Sequence, residues 1–296
     1  VTTRALVLGG GGPVGVGWET GLAAGLEEEG VCLADADLIV GTSAGSIVGA
    51  QLALGRSPQE MLATQRKLSD GDRPQLKALR GRIDVASLVA IFTKLRLEDR
   101  PSRELRAEVG AYALQANTVG EDQWLATFGS LEDLPADGWP GRRFVCTAVD
   151  AGDGEFVAWY ADAGVPLGRA IAASCSVPGI WPPVTINGRR YIDGGVRSTT
   201  NADLARGYDS VVVVSVTAGV PTPGFGDRLE AARRRLDREA DELRSSGSRI
   251  EVVLPDEGSR EAFGQSLLDV TRRGAAADAG YRQGGAVAGR LRELWG

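Results

Sequence analysis

Apolar and polar positions along the chain change their period every few turns, and the changes mark out alternating strands and helices. Residues 4–8 (RALVL) form a short apolar run that predicts a buried strand, broken by four glycines, Gly9 to Gly12. Over residues 16–29 the period becomes helical, with Trp18, Leu22 and Leu26 four apart and Gly30 as a stop. Residues 37–40 predict a second buried strand, and an apolar helix follows to about Leu54. Strand, helix, strand, helix in this order implies right-handed parallel pairing in an α/β sheet.

Further along, residues 143–149 and 155–160 read as a hairpin about a turn at 150–154. A helix is expected over 166–176, ending before Pro178, and VVVVSV at 211–216 predicts the most apolar strand. Residues 225–245 predict a charged helix with a solvated face, 250–254 a last strand and 274–295 a closing helix. Residues 56–106 differ in texture, with twelve Lys or Arg against seven acids. Within them Leu88, Ile91, Phe92 and Leu95 form a helical apolar stripe over 85–97. That stripe predicts an amphipathic helix packed on the core, the alternative being a cap that touches lipid. The whole reads as one α/β domain over 1–296 with a helical insertion at about 56–140.

Composition narrows the function. Hydrophobic content of 43% and charged content of 24% suit a soluble globular chain, and a net charge of −6 argues against nucleic-acid binding. Three cysteines, Cys32, Cys146 and Cys175, follow neither a metal-like nor a disulfide spacing. They predict reduced thiols in a cytoplasmic protein. With no histidine and few cysteines, no transition-metal site is expected, a carboxylate site for calcium or magnesium stays open, and no cofactor is expected. The apolar stretch 38–54 is interrupted by GTSAGS, which predicts a strand and helix and not a membrane span.

Two glycine motifs carry candidate chemistry. LGGGGPVG follows a strand and opens a helix, and Gly10, Gly12 and Gly15 spell a dinucleotide fingerprint, with Asp35 and Asp37 near the distance of a ribose-binding acid. The same amides would equally serve an oxyanion, so the loop alone leaves both uses open. GTSAG, Gly41 to Gly45, has the spelling of a serine-hydrolase elbow, although Ser43 would also suit a helix N-cap. No histidine exists to take the Ser43 proton, and the residue three after it is Ser46, not the lysine of a Ser-Lys hydrolase. A carboxylate remains. Among the Asp-Gly pairs only Asp193-Gly194-Gly195 carries a second glycine, and it follows the apolar Tyr191-Ile192 pair, as at a strand end.

GGGGPVG, GTSAG, ASCSVPGIWPP and YIDGGV, in that order, resemble the patatin-like phospholipase family from Leu6 to about Asn201. The resemblance implies a three-layer sandwich with a mostly parallel central sheet. It also implies a lipid acyl hydrolase working through a Ser-Asp dyad without histidine, on a lipid or ester substrate, with transient contact to a membrane surface. By position, Ser43 would be the nucleophile, Asp193 the general base, and Gly10, Gly11 and Gly12 the oxyanion donors. Gly41, Gly45, Gly194 and Gly195 would support the two motifs, and the block from Ala173 to Pro178 would be structural support. One departure stands out: the family's glycine loop usually has a basic residue before its last glycine, where this chain has Val14. Its absence leaves neutral esters as open as phosphate-bearing ones.

An ordinary Asp titrates near about 3.9, so the expected pH profile lacks the inflection near about 6.5 of a histidine base. Burial would improve the base by raising that value. Two other readings stay open at this point: a Rossmann-like nucleotide-binding protein, and a non-catalytic interaction protein on a patatin-like fold.

Overall fold

The computed structural model describes residues 2–67, 90–91, 93–95, 98, 100–129, 138–140, 144–220 and 228–295. Its strands are β1 (Arg4–Leu8), β2 (Leu38–Gly41), β3 (Phe144–Asp150), β4 (Phe156–Trp159), β5 (Val184–Ile186), β6 (Arg189–Asp193), β7 (Ser210–Val214) and β8 (Arg249–Val253). Its helices are α1 (Gly12–Glu28), α2 (Ala44–Ala53), α3 (Pro58–Lys67), α4 (Arg103–Gln115) and α5 (Glu121–Gly129). They continue as α6 (Leu167–Ser174), α7 (Arg228–Ser245), α8 (Glu257–Phe263) and α9 (Arg273–Trp295).

One sheet joins the strands along the path β5-β6-β3-β2-β1-β7-β8, with β4 on β3. The pairs β1–β2, β1–β7, β2–β3 and β7–β8 are parallel, while β3–β4, β3–β6 and β5–β6 are antiparallel. The parallel half explains the continuous apolar runs, because helices cover both faces and both sides of each strand need apolar residues. Leu6, Leu8, Ile39, Val212 and Val214 face one core, shared with α1, α2, α6 and α9. Ala5, Val7, Val40, Val211 and Val213 face the other, where Leu236 and Leu243 of α7 pack. The fold is thus a mixed α/β three-layer sandwich.

Several expectations need adjusting. Helix α1 begins at Gly12, earlier than the apolar period suggests, because Pro13 suits a first turn that has no use for its missing N–H. Helix α7 is not only a solvated face, since it buries Ala231, Leu236, Ala240 and Leu243. Of the stripe over 85–97, Leu88 and Phe92 lie outside the described residues. Ile91 and Leu95 pack against Val109, Ala113 and Ile192, so these two face protein and not lipid.

The high glycine content has a structural use beyond the two motifs. Helices α1 and α9 approach so closely that a Cβ on Gly21 would lie 1.9 Å from the Ala277 carbonyl oxygen. Their contact therefore runs backbone to backbone. Helix α1 also buries Glu19, whose two carboxylate oxygens have no hydrogen-bond partner among the described residues. Burial pushes its pKa well above the usual carboxylate range, which favours the protonated acid.

Candidate active site

Ser43 sits on the turn from β2 into α2 with φ of 52° and ψ of −117°. This is a left-handed backbone that a residue with a Cβ rarely adopts, and such strain concentrates at functional turns. The neighbours must be glycine for the turn to close. A Cβ on Gly45 would lie 2.1 Å from the Leu8 carbonyl oxygen, and one on Gly41 would lie 2.6 Å from the Ser46 Cα. Although Ser43 occupies the N-cap position of α2, its side chain makes no capping hydrogen bond, so the capping reading is corrected. The Ser43 amide instead donates to the Ser174 hydroxyl at 2.9 Å. Ser174 ends α6, inside the block that the sequence marked as support.

Strand register brings Asp193 to this turn. Cys146 of β3 pairs with Gly41 on one side and Trp159 on the other, and Ala148 pairs with Asp193 and Val157. Strand β4 therefore holds one edge of β3, while β2 and β6 meet end to end along the other. Gly41 and Asp193 oppose positions two residues apart, a separation of roughly 7 Å along the strand. Gly194 lies so close to Thr147 that a Cβ there would meet its Oγ1 at 2.4 Å. The Gly195 amide donates to Asp193 Oδ1 at 2.7 Å. Burial pushes the Asp193 carboxyl up to about 7, against the opposing pull of the Gly195 amide hydrogen bond and of the nearby Ser43 hydroxyl. The expected absence of a near-neutral inflection is thereby corrected: a buried aspartate titrates where a histidine would.

The glycine loop lies against the serine, and a Cβ on Gly10 would sit 3.4 Å from Ser43 Cβ. One assignment changes here. The Gly10 amide donates to the Thr199 carbonyl at 2.7 Å and so is committed to the fold. Among the described residues, no carbonyl or side chain takes up the amides of Gly11, Gly12 or Ala44, which lie at the N-termini of α1 and α2. Val14 is fully buried in the main core and its amide donates to the Leu267 carbonyl at 3.2 Å.

The nucleotide reading fails on the placement of its acids. Asp37 accepts from the Arg4 amide at 2.8 Å, where β1 begins, whereas the glycine loop follows the other end of β1. The five residues between span roughly 17 Å, too far for a ribose held beside a pyrophosphate in the loop. Asp35 precedes β2 in the same way, in a short 3₁₀ turn.

A narrow, mostly apolar cleft of about 90 Å³ opens over Ser43, walled by Ile47, Trp124, Phe128, Trp181, Leu268 and Cys175. Trp124 stacks on Trp181 at 4.1 Å and meets Phe128 edge-on at 4.7 Å, giving the cleft a rigid aromatic side. A wider depression along α7, lined by Arg234, Arg238, Asp241 and Glu242, shares no residue with this cleft. Cys175 borders the cleft, where burial first and the Asp193 charge second raise its thiol pKa and disfavour the thiolate. Sequence reasoning marked Ser174 as structural support but missed the bond it makes to the Ser43 amide, and it missed the cleft walls. Trp124 and Trp181 are separated by long stretches of chain, and only the tertiary fold puts them together.

Comparison with known proteins gives a consistent family. A profile described as Patatin-like phospholipase matches residues 6–206. Patatin-like phospholipase domain-containing protein 6 of Homo sapiens is 27% identical over 252 residues, covering 82% of this chain and 16% of that protein. Patatin-like phospholipase domain-containing protein 7 of Mus musculus is 26% identical over 232 residues, covering 76% and 14%. The chain thus spans about a sixth of the length of these curated relatives. The crystal structure of VipD from Legionella pneumophila aligns over 98% of this chain and 67% of its own, at 14% identity and a TM-score of 0.46.

Proposed function

The chain belongs to the patatin-like phospholipase family, and on that premise we propose that it is a serine lipid acyl hydrolase cleaving carboxylic esters of phospholipids or related lipids. The observation that carries the reading is the strained Ser43 turn, which strand register sets beside the buried Asp193 at the end of β6. In the ionised state Asp193 accepts the Ser43 proton as Oγ attacks the acyl carbonyl. The oxyanion then forms beside the amides of Gly11, Gly12 and Ala44, at the positive ends of two helices. Protonated Asp193 gives its proton to the departing alcohol oxygen. Water next attacks the acyl-serine, losing a proton to the same carboxylate, and the fatty acid and Ser43 hydroxyl are released.

A base that titrates near 7 is better matched to this work than an ordinary aspartate, because it is substantially ionised at neutral pH yet holds a proton more strongly. The apolar cleft suits an acyl chain, and buried Val14 leaves neutral and phosphate-bearing esters both open. The test is covalent labelling of Ser43 with a fluorophosphonate, combined with hydrolysis of p-nitrophenyl esters of graded length. Labelling and hydrolysis should both vanish in Ser43→Ala, and hydrolysis should drop steeply in Asp193→Asn. Parental turnover in both variants would overturn the proposal, and an unlabelled parent would favour a non-catalytic relative.

A further inference from the structure

One residue after the DGG motif, past Val196, the chain runs Arg197-Ser198-Thr199-Thr200-Asn201, a segment that touches every part of the proposed site. We propose that Asn201 is a positioning residue for the hydrolytic reaction, locking the Ser43 turn to the Asp193 turn through its side-chain amide. The inference rests on the hydrolase reading above and assigns a role to a residue that itself never reaches the substrate.

The geometry is two-sided. Asn201 is fully buried, and its Nδ2 donates to the Thr42 hydroxyl at 3.0 Å and to the Ser198 carbonyl at 2.7 Å. The Gly194 carbonyl lies 3.3 Å from the same nitrogen. Thr42 is bonded in sequence to Ser43, and Gly194 to Asp193, so one amide spans the residues next to both proposed catalytic groups. Thr42 in turn meets Thr147 hydroxyl to hydroxyl at 2.8 Å, tying both to the edge of β3 where β2 and β6 abut. The segment reaches the third part of the site as well, because the Thr199 carbonyl holds the Gly10 amide.

Asn201 is itself held in one orientation. Its Oδ1 accepts from Arg197 Nη1 at 2.8 Å, which leaves Nδ2 facing the hydroxyl and carbonyls. Arg197 is fixed by two hydrogen bonds to Asp203, at 2.9 and 2.5 Å, and lies 4.2 Å over the Phe156 ring. Glu239 of α7 anchors the next stretch, accepting from the Thr200 hydroxyl at 2.5 Å and the Ala202 amide at 3.0 Å. The Asn201 backbone adopts a left-handed φ of 51°, so the chain turns in place to present its side chain inward. Such a shell is what a reaction needs when its two groups come from different strands, since misplacement by about 1 Å costs on the order of a hundredfold in rate.

The test compares Asn201→Gly and Asn201→Asp with the parent, using p-nitrophenyl butyrate and a fluorophosphonate probe. Glycine accepts the left-handed backbone and removes only the side chain. We expect kcat to fall roughly 10- to 100-fold with KM within about twofold, and the Ser43 labelling rate to fall in parallel. Aspartate also tolerates that backbone but exchanges the amide donor for a charge near Asp193. It should not restore the rate, and it should move the pH midpoint of kcat upward, which a purely structural role would not do. A folded Asn201→Gly with parental kcat and labelling rate overturns the proposal. Should Asn201→Gly not fold, Thr42→Val removes the same hydrogen bond from its other end, and parental kcat there overturns it equally. A parent that neither labels nor hydrolyses overturns both this inference and the hydrolase reading, whereas an active parent with an unaffected variant overturns this one alone.

Discussion

Ser174 takes the backbone amide of Ser43 on its hydroxyl at 2.9 Å, and both residues are buried. The strained turn is therefore clamped from α6 by a bond that the chain's own secondary structure could not supply. Ser174→Ala should leave a buried amide unpaired, lowering stability by about 1–3 kcal/mol in thermal or denaturant unfolding. Ester hydrolysis should weaken mainly through kcat, because the lost bond fixes the proposed nucleophile and not the cleft.

As the proposed base, Asp193 should make both rate and stability depend on pH. Its carboxylate must be ionised to act as base, so kcat should fall about tenfold per unit as pH drops below about 7. The stability effect has the opposite direction. The folded state holds its proton up to about 7 and the unfolded chain only to about 3.8, so stability from this group is full below the lower value and lost as pH rises to the upper one. At pH 8 Asp193→Asn should be the more stable protein while being the less active one. The gap between the two values limits that gain to ~4 kcal/mol. Denaturant midpoints at pH 5 and pH 8 give the check: the advantage of the variant should shrink at the lower pH.

The close approach of α1 and α9 separates two kinds of glycine. Gly21→Ala would drive a methyl into the Ala277 carbonyl and should cost more than about 4 kcal/mol or prevent folding. Gly285, exposed on α9 with open space around it, should gain about 0.5–1 kcal/mol on substitution by alanine. Thermal unfolding of the two variants should shift in opposite directions.

The cleft over Ser43 is small. Its volume of about 90 Å³ favours short acyl groups unless the walls move. Ile47→Ala should widen it and raise kcat/KM for octanoate relative to butyrate about tenfold, a change that p-nitrophenyl esters would read directly. An unchanged ratio would place the acyl chain elsewhere.

Much of the parallel half was legible because buried parallel strands announce themselves: RALVL and VVVV are apolar on both faces for a reason that local sequence records. GTSAG and DGG were legible through their glycines, whose spacing reflects contacts too close for a side chain. The antiparallel half was harder. Strand β5 is three residues long, and β6 begins with two arginines, so neither carries an apolar signature. Thr42, Thr147 and Asn201 were not legible, since their value lies in meeting one another across stretches of more than a hundred residues in places, and the motif that marked Ser174 as support did not reveal its bond to the Ser43 amide. Gly10 was misassigned for a related reason. Its motif position matches a donor, and only the fold reveals that Thr199 has already taken the amide.

With Ser43 as the proposed nucleophile, its backbone should set folding and turnover against each other at a single codon. At φ of 52° a glycine would sit more comfortably than a serine. A library of this gene sorted for heat resistance alone should drift toward Ser43→Gly, and one sorted for ester turnover should refuse that change. This one position would then record, in which residue it keeps, which of the two demands a population had been made to meet.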